Sequence, residues 1–352
     1  MWGFKSPLSH HPAMSDSRYA RQERLPQIGT AGQASLKQAT AAVIGLGALG
    51  SVGSDLLVRA GVGKVILIDR DVVEASNLQR QVLYTQSDAE DTVPKAVAAI
   101  ERLHAVNPEV ELESHATDLT AANIAALLGG ADLILDGTDN FATRYLVNDF
   151  AVQEGKAFVY AGVVGTYGML GAILPGGPCL RCTWPEPPEA GEAPTCRSAG
   201  VLGPAVSVIA GWAAAEAIKI LAGASDQAFQ GYRYLDIWAG NHQAIHAAVD
   251  PDCPCCGRKE HPWLAGQRGT LAAQVVCAGG AVQVPATGDP PDLNRLGERL
   301  QGTVDDLQVA TAFLRFRHED LDVLHFADGR SLVRGTEDPA RARAVLARTV
   351  GG

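Results

Sequence analysis

No stretch of this 352-residue chain carries the roughly twenty consecutive apolar residues that a bilayer span requires. The best candidate, Val201 to Ala215, stops after fifteen and is followed by Glu216 and Lys219, so it reads as a buried helix. Residues 1 to 13 lack the apolar core of a signal peptide. The segment 1–14 is therefore expected to be a disordered tail, with Met14 as an alternative start. Basic excess is also missing: 29 basic against 39 acidic residues give a formal charge of −10, and the scattered cations lack the field that nucleic-acid backbones demand. A chain of this size, 47% hydrophobic, buries a core without staples, so its cysteines need not form a disulfide framework. These absences point to a cytoplasmic protein with neither membrane nor nucleic acid as a partner.

What is present begins with Ala41-Ala42-Val43-Ile44, an apolar strand entering Gly45-Leu46-Gly47-Ala48-Leu49-Gly50, after which Ser51 to Ala60 has helical periodicity. Strand, glycine turn and helix form a nucleotide-binding element. Its glycines let backbone approach a phosphate, and the helix N-terminus supplies free N–H groups and a positive dipole end. Gly45, Gly47, Ala48 and Gly50 are the candidate contacts. Val65 to Ile68 reads as a second buried strand ending at Asp69, placed about 20 residues beyond the glycines, where a ribose hydroxyl is gripped. So far a dehydrogenase binding NAD fits equally well.

The polar residues after Asp69 separate the readings, because hydride transfer needs no cationic clamp and triphosphate chemistry does. Arg80 can fork onto phosphate oxygens and Lys95 can act as a point charge, both stabilising a pentavalent phosphorus and a leaving pyrophosphate. Asn77 and Gln81 would orient them. Downstream, Ala131 to Asp136 is another buried strand, and its C-terminal edge carries carboxylates, where open α/β sheets bind ligands. Asp139 is the magnesium candidate and Asn140 beside it a candidate nucleotide contact; the alternative role of Asp139 is to cap the helix expected over Phe141 to Glu154.

These residues resemble the ThiF/MoeB/HesA adenylyltransferases, relatives of the ubiquitin-activating enzymes. Arg18-Tyr19-Ala20-Arg21-Gln22 is similar to the family's opening motif, Ser76 to Gln81 to its signature, Lys95 to its lysine, and Thr138 to Arg144 to its magnesium segment. The resemblance implies a Rossmann-like α/β fold with a doubly wound, mostly parallel sheet. It also implies ATP-dependent activation, with Mg2+, of the C-terminal glycine of a ubiquitin-like sulfur carrier ending in Gly-Gly, and a cysteine desulfurase or rhodanese as sulfur donor. The pathway is open among thiamine, molybdopterin and tRNA thiolation, with thiamine preferred. Asp69 would take the ribose, Arg80 and Lys95 the phosphates, Asp139 the metal, and Arg21 would reach the neighbouring subunit's site in a homodimer. Two departures stand out: Ala48 replaces a usual glycine, and the spacer from Gln81 to Lys95 is longer than the family's. Alanine keeps its N–H for phosphate if its φ is negative. Ala48 also keeps alive a regulatory relative that binds nucleotide without turning it over, and adenylation of a peptide or tRNA-linked carboxylate is a further alternative.

Four of the seven cysteines form two pairs, Cys179-x-x-Cys182 and Cys253-x-x-Cys256, each able to supply two corners of a structural zinc tetrahedron. Disulfide bonding is the alternative, and Cys255 competes with Cys256, although Cys-Pro-x-Cys resembles the family pattern. Cys196 lies in a small-residue loop beside Arg197 and ahead of an apolar helix, a setting that favours a thiolate nucleophile. A lone cysteine is otherwise a small buried residue; the resemblance gives Cys196 a part in handling the activated carrier and its sulfur. His242 and His246, close before the second cysteine pair, could serve as metal ligands, but they are expected on the second strand of a hairpin as surface residues, since the cysteines already supply four ligands.

The organisation expected is an adenylyltransferase domain over 15–262 and a small α+β domain over 270–352. Pro185 to Pro194, rich in Pro, Glu and Gly, is expected as a mobile crossover loop. In the second domain a helix is expected at Asp292 to Leu300, a strand at Phe313 to Arg317, a hairpin through Ala327-Asp328-Gly329-Arg330 and a helix at Pro339 to Thr349. Gly351-Gly352 copies the carriers' terminus, but the helical pattern before it reads as an ordinary helix end.

Overall fold

The computed structural model describes residues 18–189, 192, 196–268, 274–276, 281–286, 288 and 290–351. The segment 1–14, part of the Pro185–Pro194 loop and Gly352 lie outside them, as does the side chain of Cys196.

The chain opens with α1 (Ala20–Glu23) and α2 (Gly29–Gln38), then β1 (Thr40–Ile44), α3 (Ala48–Ala60) and β2 (Lys64–Ile68). Next come α4 (Gln86–Glu90), α5 (Lys95–Val106), β3 (Glu111–His115), α6 (Ile124–Leu128), β4 (Leu133–Asp136) and α7 (Phe141–Glu154). The antiparallel strands β5 (Ala157–Val164) and β6 (Tyr167–Ile173) lead through α8 (Leu180–Thr183) and α9 (Cys196–Ala199) to α10 (Gly203–Leu221), and the hairpin β7 (Gly231–Asp236) and β8 (Asn241–His246) follows. These strands make one sheet in the order β3-β2-β1-β4-β5-β6-β7-β8, parallel from β3 to β5 and antiparallel beyond.

Alternation along β1 feeds both faces of this sheet. Ala41 and Val43 enter a core with Leu57 of α3, Ala99 of α5 and Ile209 of α10, while Ala42 and Ile44 enter another with Ile124 of α6 and Tyr145 and Phe150 of α7. Such two-sided burial makes parallel strands apolar throughout. The apolar stretch expected as a buried helix is α10, packed on α3, β5 and β6. Among the described residues it is the one helix long and apolar enough to cross a membrane, and half of it is buried within the fold.

A second sheet follows, built from β9 (Gln274–Val276), β10 (Ala281–Val284), β11 (Asp305–Val309), β12 (Phe313–His318), β13 (Leu321–Phe326) and β14 (Ser331–Arg334), with α11 (Leu293–Leu300) and α12 (Pro339–Thr349). Its order is β11-β12-β13-β14-β10-β9, antiparallel throughout. One face packs on α11 and α12 through Phe316, Val323, Leu296 and Val345. The other buries Leu324, Phe326 and Leu332 against Val72 and Ala116 of the first sheet's unit. The strand β11 was not anticipated, because its sequence Asp305-Asp306-Leu307-Gln308-Val309 is polar and mostly exposed, with a bulge between Asp305 and Gln308.

Candidate active site and thiol cluster

The order β2-β1-β4 places a topological switch between β1 and β4, and open α/β sheets bind ligands in the crevice beyond such strand ends. Gly45 follows β1 with φ +77°, and a Cβ there would stand 2.8 Å from the Gly137 carbonyl carbon beyond β4. A Cβ on Gly50 would lie 1.8 Å from the Gly45 oxygen. The two loops interlock only because no side chain intervenes. Gly47 is the N-cap of α3 and Ala48 its first residue. Ala48 is absent from the positive-φ residues, so alanine is accommodated at the helix start without backbone strain.

Asp69 is 7% exposed and organises this turn: Oδ2 accepts from the Leu46 N–H at 2.6 Å and Oδ1 from the Asp71 N–H at 2.6 Å. Tyr84, not singled out from the sequence, donates its hydroxyl to the Leu46 carbonyl at 2.7 Å. Both sides of the Leu46 peptide are thus held. Burial pushes the Asp69 carboxyl up, against the pull of Lys95.

Lys95 is the first residue of α5 and 6% exposed, with Nζ 3.4 Å from Asp71 Oδ2. Burial pulls its ammonium down, but Asp71, Asp69 and Asp139 more than reverse this, and the lysine stays charged. Asp71 is the partner the sequence reading lacked. Arg80 is half-buried and donates Nη1 to the Ser76 carbonyl at 3.0 Å, leaving its other guanidinium nitrogens without a partner among the described residues. Asn77 is buried and donates to Ser76 Oγ at 3.3 Å. Gln81 is buried with an unpartnered Oε1.

On the opposite lip, Asn140 rather than Asp139 caps α7, its Oδ1 accepting from the Thr143 N–H at 2.8 Å. The cap reading of Asp139 is thereby excluded, and Asn140, expected to contact nucleotide, spends its carbonyl on the helix. Asp139 is exposed and makes no hydrogen bond or ion pair among the described residues. Its turn is pinned by a pair that the sequence reading passed over. Arg144 donates Nε to Asp136 Oδ2 at 2.9 Å and Nη2 to the Thr138 and Ala161 carbonyls at 2.7 and 2.9 Å, while Asp136 Oδ1 accepts from the Thr138 N–H and hydroxyl. Burial pulls the Arg144 guanidinium down, and Asp136 more than restores it. A free carboxylate on a fixed turn, near enough to Lys95 and Arg70 for its charge to be felt, suits a hard divalent cation.

Arg21 lies on α1, exposed, with no partner among the described residues. Cys196 opens α9, and its loop is tied to Gly165 through Gly165 N–H to Gly200 and Leu202 N–H to Gly165. His242 and His246 are exposed on β8, as expected.

Cys179, Cys182, Cys253 and Cys256 converge beneath the sheet. Their sulfurs all lie within 4.8 Å of one another, with Cys179 to Cys253 at 3.6 Å, Cys182 to Cys256 at 3.3 Å and Cys182 to Cys179 at 4.0 Å. Zinc–sulfur bonds of about 2.3 Å require tetrahedral edges of roughly 3.8 Å, so the four thiols fit zinc closely. Cys255 is outside this group. It sits behind it, with Asn148 Nδ2 at 3.3 Å and His261 Nδ1 at 3.6 Å. Hydrogen bonds from Cys255 and Cys253 outweigh burial and hold the Cys179 thiol well below its usual range, whereas burial pushes the Cys182 and Cys256 thiols up; the fit to zinc rests on the sulfur spacing.

A model of the ThiF family matches residues 19–255. The sulfur carrier protein ThiS adenylyltransferase of Bacillus subtilis (strain 168) is 40% identical over 338 residues, covering 95% of this chain and 99% of the relative. A sulfur carrier protein adenylyltransferase of Thermus thermophilus is 42% identical over 246 residues, 68% of this chain and 90% of the relative. The SAMP-activating enzyme E1 of Haloferax volcanii is 35% identical over 240 residues, 68% of this chain and 88% of the relative. Among solved structures, E. coli MccB with ATP shares the fold at a TM-score of 0.61 and 23% identity, over 69% of this chain and 75% of that one.

Proposed function

Because this chain belongs to the ThiF family, we propose that it adenylates the C-terminal glycine of a ubiquitin-like sulfur carrier protein, releasing pyrophosphate and preparing the acyl-adenylate for sulfur transfer. The chain is an adenylyltransferase. The observation that carries the detailed reading is Lys95, buried yet charged and 3.4 Å from Asp71, at the crevice beside the interlocked glycine turns. A buried cation at that edge is suited to a triphosphate and superfluous for hydride transfer.

In this reading the N–H groups at the start of α3 receive phosphate oxygens, and Lys95 and Arg80 neutralise the charge that develops on the α-phosphorus and on leaving pyrophosphate. Asp69 holds the Leu46 turn and faces the ribose; Asn77 and Gln81 line the approach to Arg80. Asp139 would hold Mg2+, which supplies charge neutralisation on the phosphates. The carrier's carboxylate is the nucleophile, so the enzyme's task is positioning and electrostatics. Arg21, exposed on α1 and without a partner among the described residues, would enter the site of a second subunit in a homodimer. Sulfur supplied by a desulfurase or rhodanese would displace AMP from the acyl-adenylate, with Cys196 handling the activated carrier and its sulfur, and zinc in the four thiols would be structural. Free thiols of this kind suit the cytoplasm.

The experiment is ATP–pyrophosphate exchange with purified protein, magnesium and a panel of glycine-tailed carriers, each compared with a form lacking its last two glycines. Exchange that requires one intact tail supports the reading and identifies the pathway; no exchange with any carrier overturns it.

A further inference from the structure

The second sheet meets the nucleotide-binding unit at the residues that carry Lys95 and Asp71. Leu324, Phe326 and Leu332 are buried against Val72 and Ala116. Three arginines surround this apolar contact. Arg330, 4% exposed, lies over the Phe326 ring at 3.6 Å, donates Nε to Asp328 Oδ2 at 3.0 Å and Nη2 to the Ala116 carbonyl at 2.7 Å. Thr117 returns a hydroxyl hydrogen bond to Asp328 Oδ2 at 2.7 Å. Arg334 donates Nη1 to Thr92 Oγ1 at 2.9 Å, and Arg315, oriented by Asp322, donates Nη1 to the Asp91 carbonyl at 2.8 Å.

Asp91 and Thr92 belong to the segment between Gln81 and Lys95. Thr92 has φ +53°, a conformation costly for a β-branched residue and held only by its surroundings. Immediately after it, the Val73 N–H donates to the Val93 carbonyl, Val72 bridges to Pro94, and the Lys95 N–H donates to the Asp71 carbonyl at 2.9 Å. Displacing Asp91 or Thr92 therefore displaces the start of α5 and the Asp71 loop together.

We propose that the C-terminal sheet is a brace for the phosphate clamp, with Arg330, Arg334 and Arg315 as positioning residues that set how Lys95 and Asp71 are presented to ATP. The segment between Gln81 and Lys95 is the part the brace grips, at Asp91 and Thr92. Charge supports the geometry: surrounding protein pushes the Asp71 carboxyl up, but Lys95, Arg70 and Arg330 hold it below its ordinary value. Asp118, which pairs with Arg70 at 3.1 Å, also lies within the reach of Arg330's charge. The proposal rests on the adenylation reading for the meaning of the clamp, and its test is independent of any carrier.

The test measures the Kd of the full-length protein for a non-hydrolysable ATP analogue and for AMP, which lacks the phosphates Lys95 would meet. Arg330→Ala and Arg334→Ala should each weaken the ATP analogue by about tenfold, the usual size of a coupling between sites, and leave AMP affinity unchanged; Arg330→Lys should recover part of the loss. In a Lys95→Ala background the arginine substitutions should have no further effect, since the cycle isolates their coupling to Lys95. Equal weakening of ATP and AMP, an undiminished effect without Lys95, or a lowered Tm with unchanged affinity would each overturn the brace. If the wild type binds the analogue but exchanges no pyrophosphate with any carrier, adenylation falls while the brace stands. If exchange occurs and the variants bind normally, the brace falls alone.

Discussion

Asp71 holds Lys95 at both ends: its carbonyl accepts the lysine's backbone N–H at 2.9 Å, and its Oδ2 lies 3.4 Å from the ammonium. Asp71 therefore fixes the origin of α5 as well as the direction of the charge that α5 presents. Lys95→Ala should lower the kcat of pyrophosphate exchange by on the order of a hundredfold or more, as expected for loss of a preorganised cation. Asp71→Asn, which keeps the backbone contact and weakens the charge pair, should cost less. Steady-state exchange kinetics on both variants check the order.

Arg144 and Asp136 are 7% and 4% exposed and share a hydrogen bond at 2.9 Å. Arg144→Met strands a buried carboxylate and should destabilise the fold by about 3–5 kcal/mol, measured by urea unfolding. The Asp139 turn should loosen with it, so magnesium dependence should shift to higher concentration in whatever folded protein remains.

The thiol cluster separates two neighbouring cysteines. Cys256→Ser should abolish stoichiometric zinc and lower Tm, whereas Cys255→Ser should retain the metal, because Cys255 lies outside the four-sulfur group. Elemental analysis with thermal melts reads both; equal zinc loss in the two variants would place Cys255 among the ligands.

A single methyl tests the glycine turn. Gly50→Ala puts a Cβ at 1.8 Å from the Gly45 oxygen, and nucleotide binding should be lost. Ala48→Gly, at the first position of α3, should alter stability by no more than about 1 kcal/mol and leave exchange intact. Calorimetric titration of an ATP analogue distinguishes them.

His325 gives the C-terminal sheet a pH dependence. It is buried on β13, its Nδ1 2.8 Å from Ser331 Oγ, and burial outweighs Asp328 to hold its pKa below the ordinary 6.5. Below pH 6.5 the unfolded chain takes a proton that the folded imidazole refuses. Its contribution to stability is therefore complete above that pH and is lost on acidification, at a limiting slope of about 1.4 kcal/mol per pH unit until the folded pKa is reached. His325→Gln should flatten this component in denaturant titrations between pH 7 and 5.

Much of the fold was legible where one physical signal dominated. The helices at Phe141–Glu154 and Pro339–Thr349 fall where periodicity and flanking polar residues placed them, each opened by a side-chain cap from Asn140 or Asp338. Strand β11 was hidden because an exposed, bulged edge has no alternation to read. In the candidate site, the cations Arg80 and Lys95 were proposed from residue type and order. Their supports were not: Tyr84 reaches Leu46 across 38 positions and Arg330 reaches Ala116 across 214, separations at which sequence carries no local pattern. Asp136 and Arg144 were hidden by ordinariness, since a strand-end carboxylate and a helical arginine gain meaning only once their 2.9 Å contact exists.

Cys179 and Cys253 touch across 74 positions of chain. A metal joining the two cysteine pairs turns everything between them, including α10, the Cys196 segment and the β7–β8 hairpin, into a closed ring. Chain statistics assign closure of a ring that size about 4 kcal/mol at the expense of unfolded-state freedom. Metal loading would then act on the apolar helix α10 at a distance, by removing unfolded arrangements open to it although it supplies no ligand.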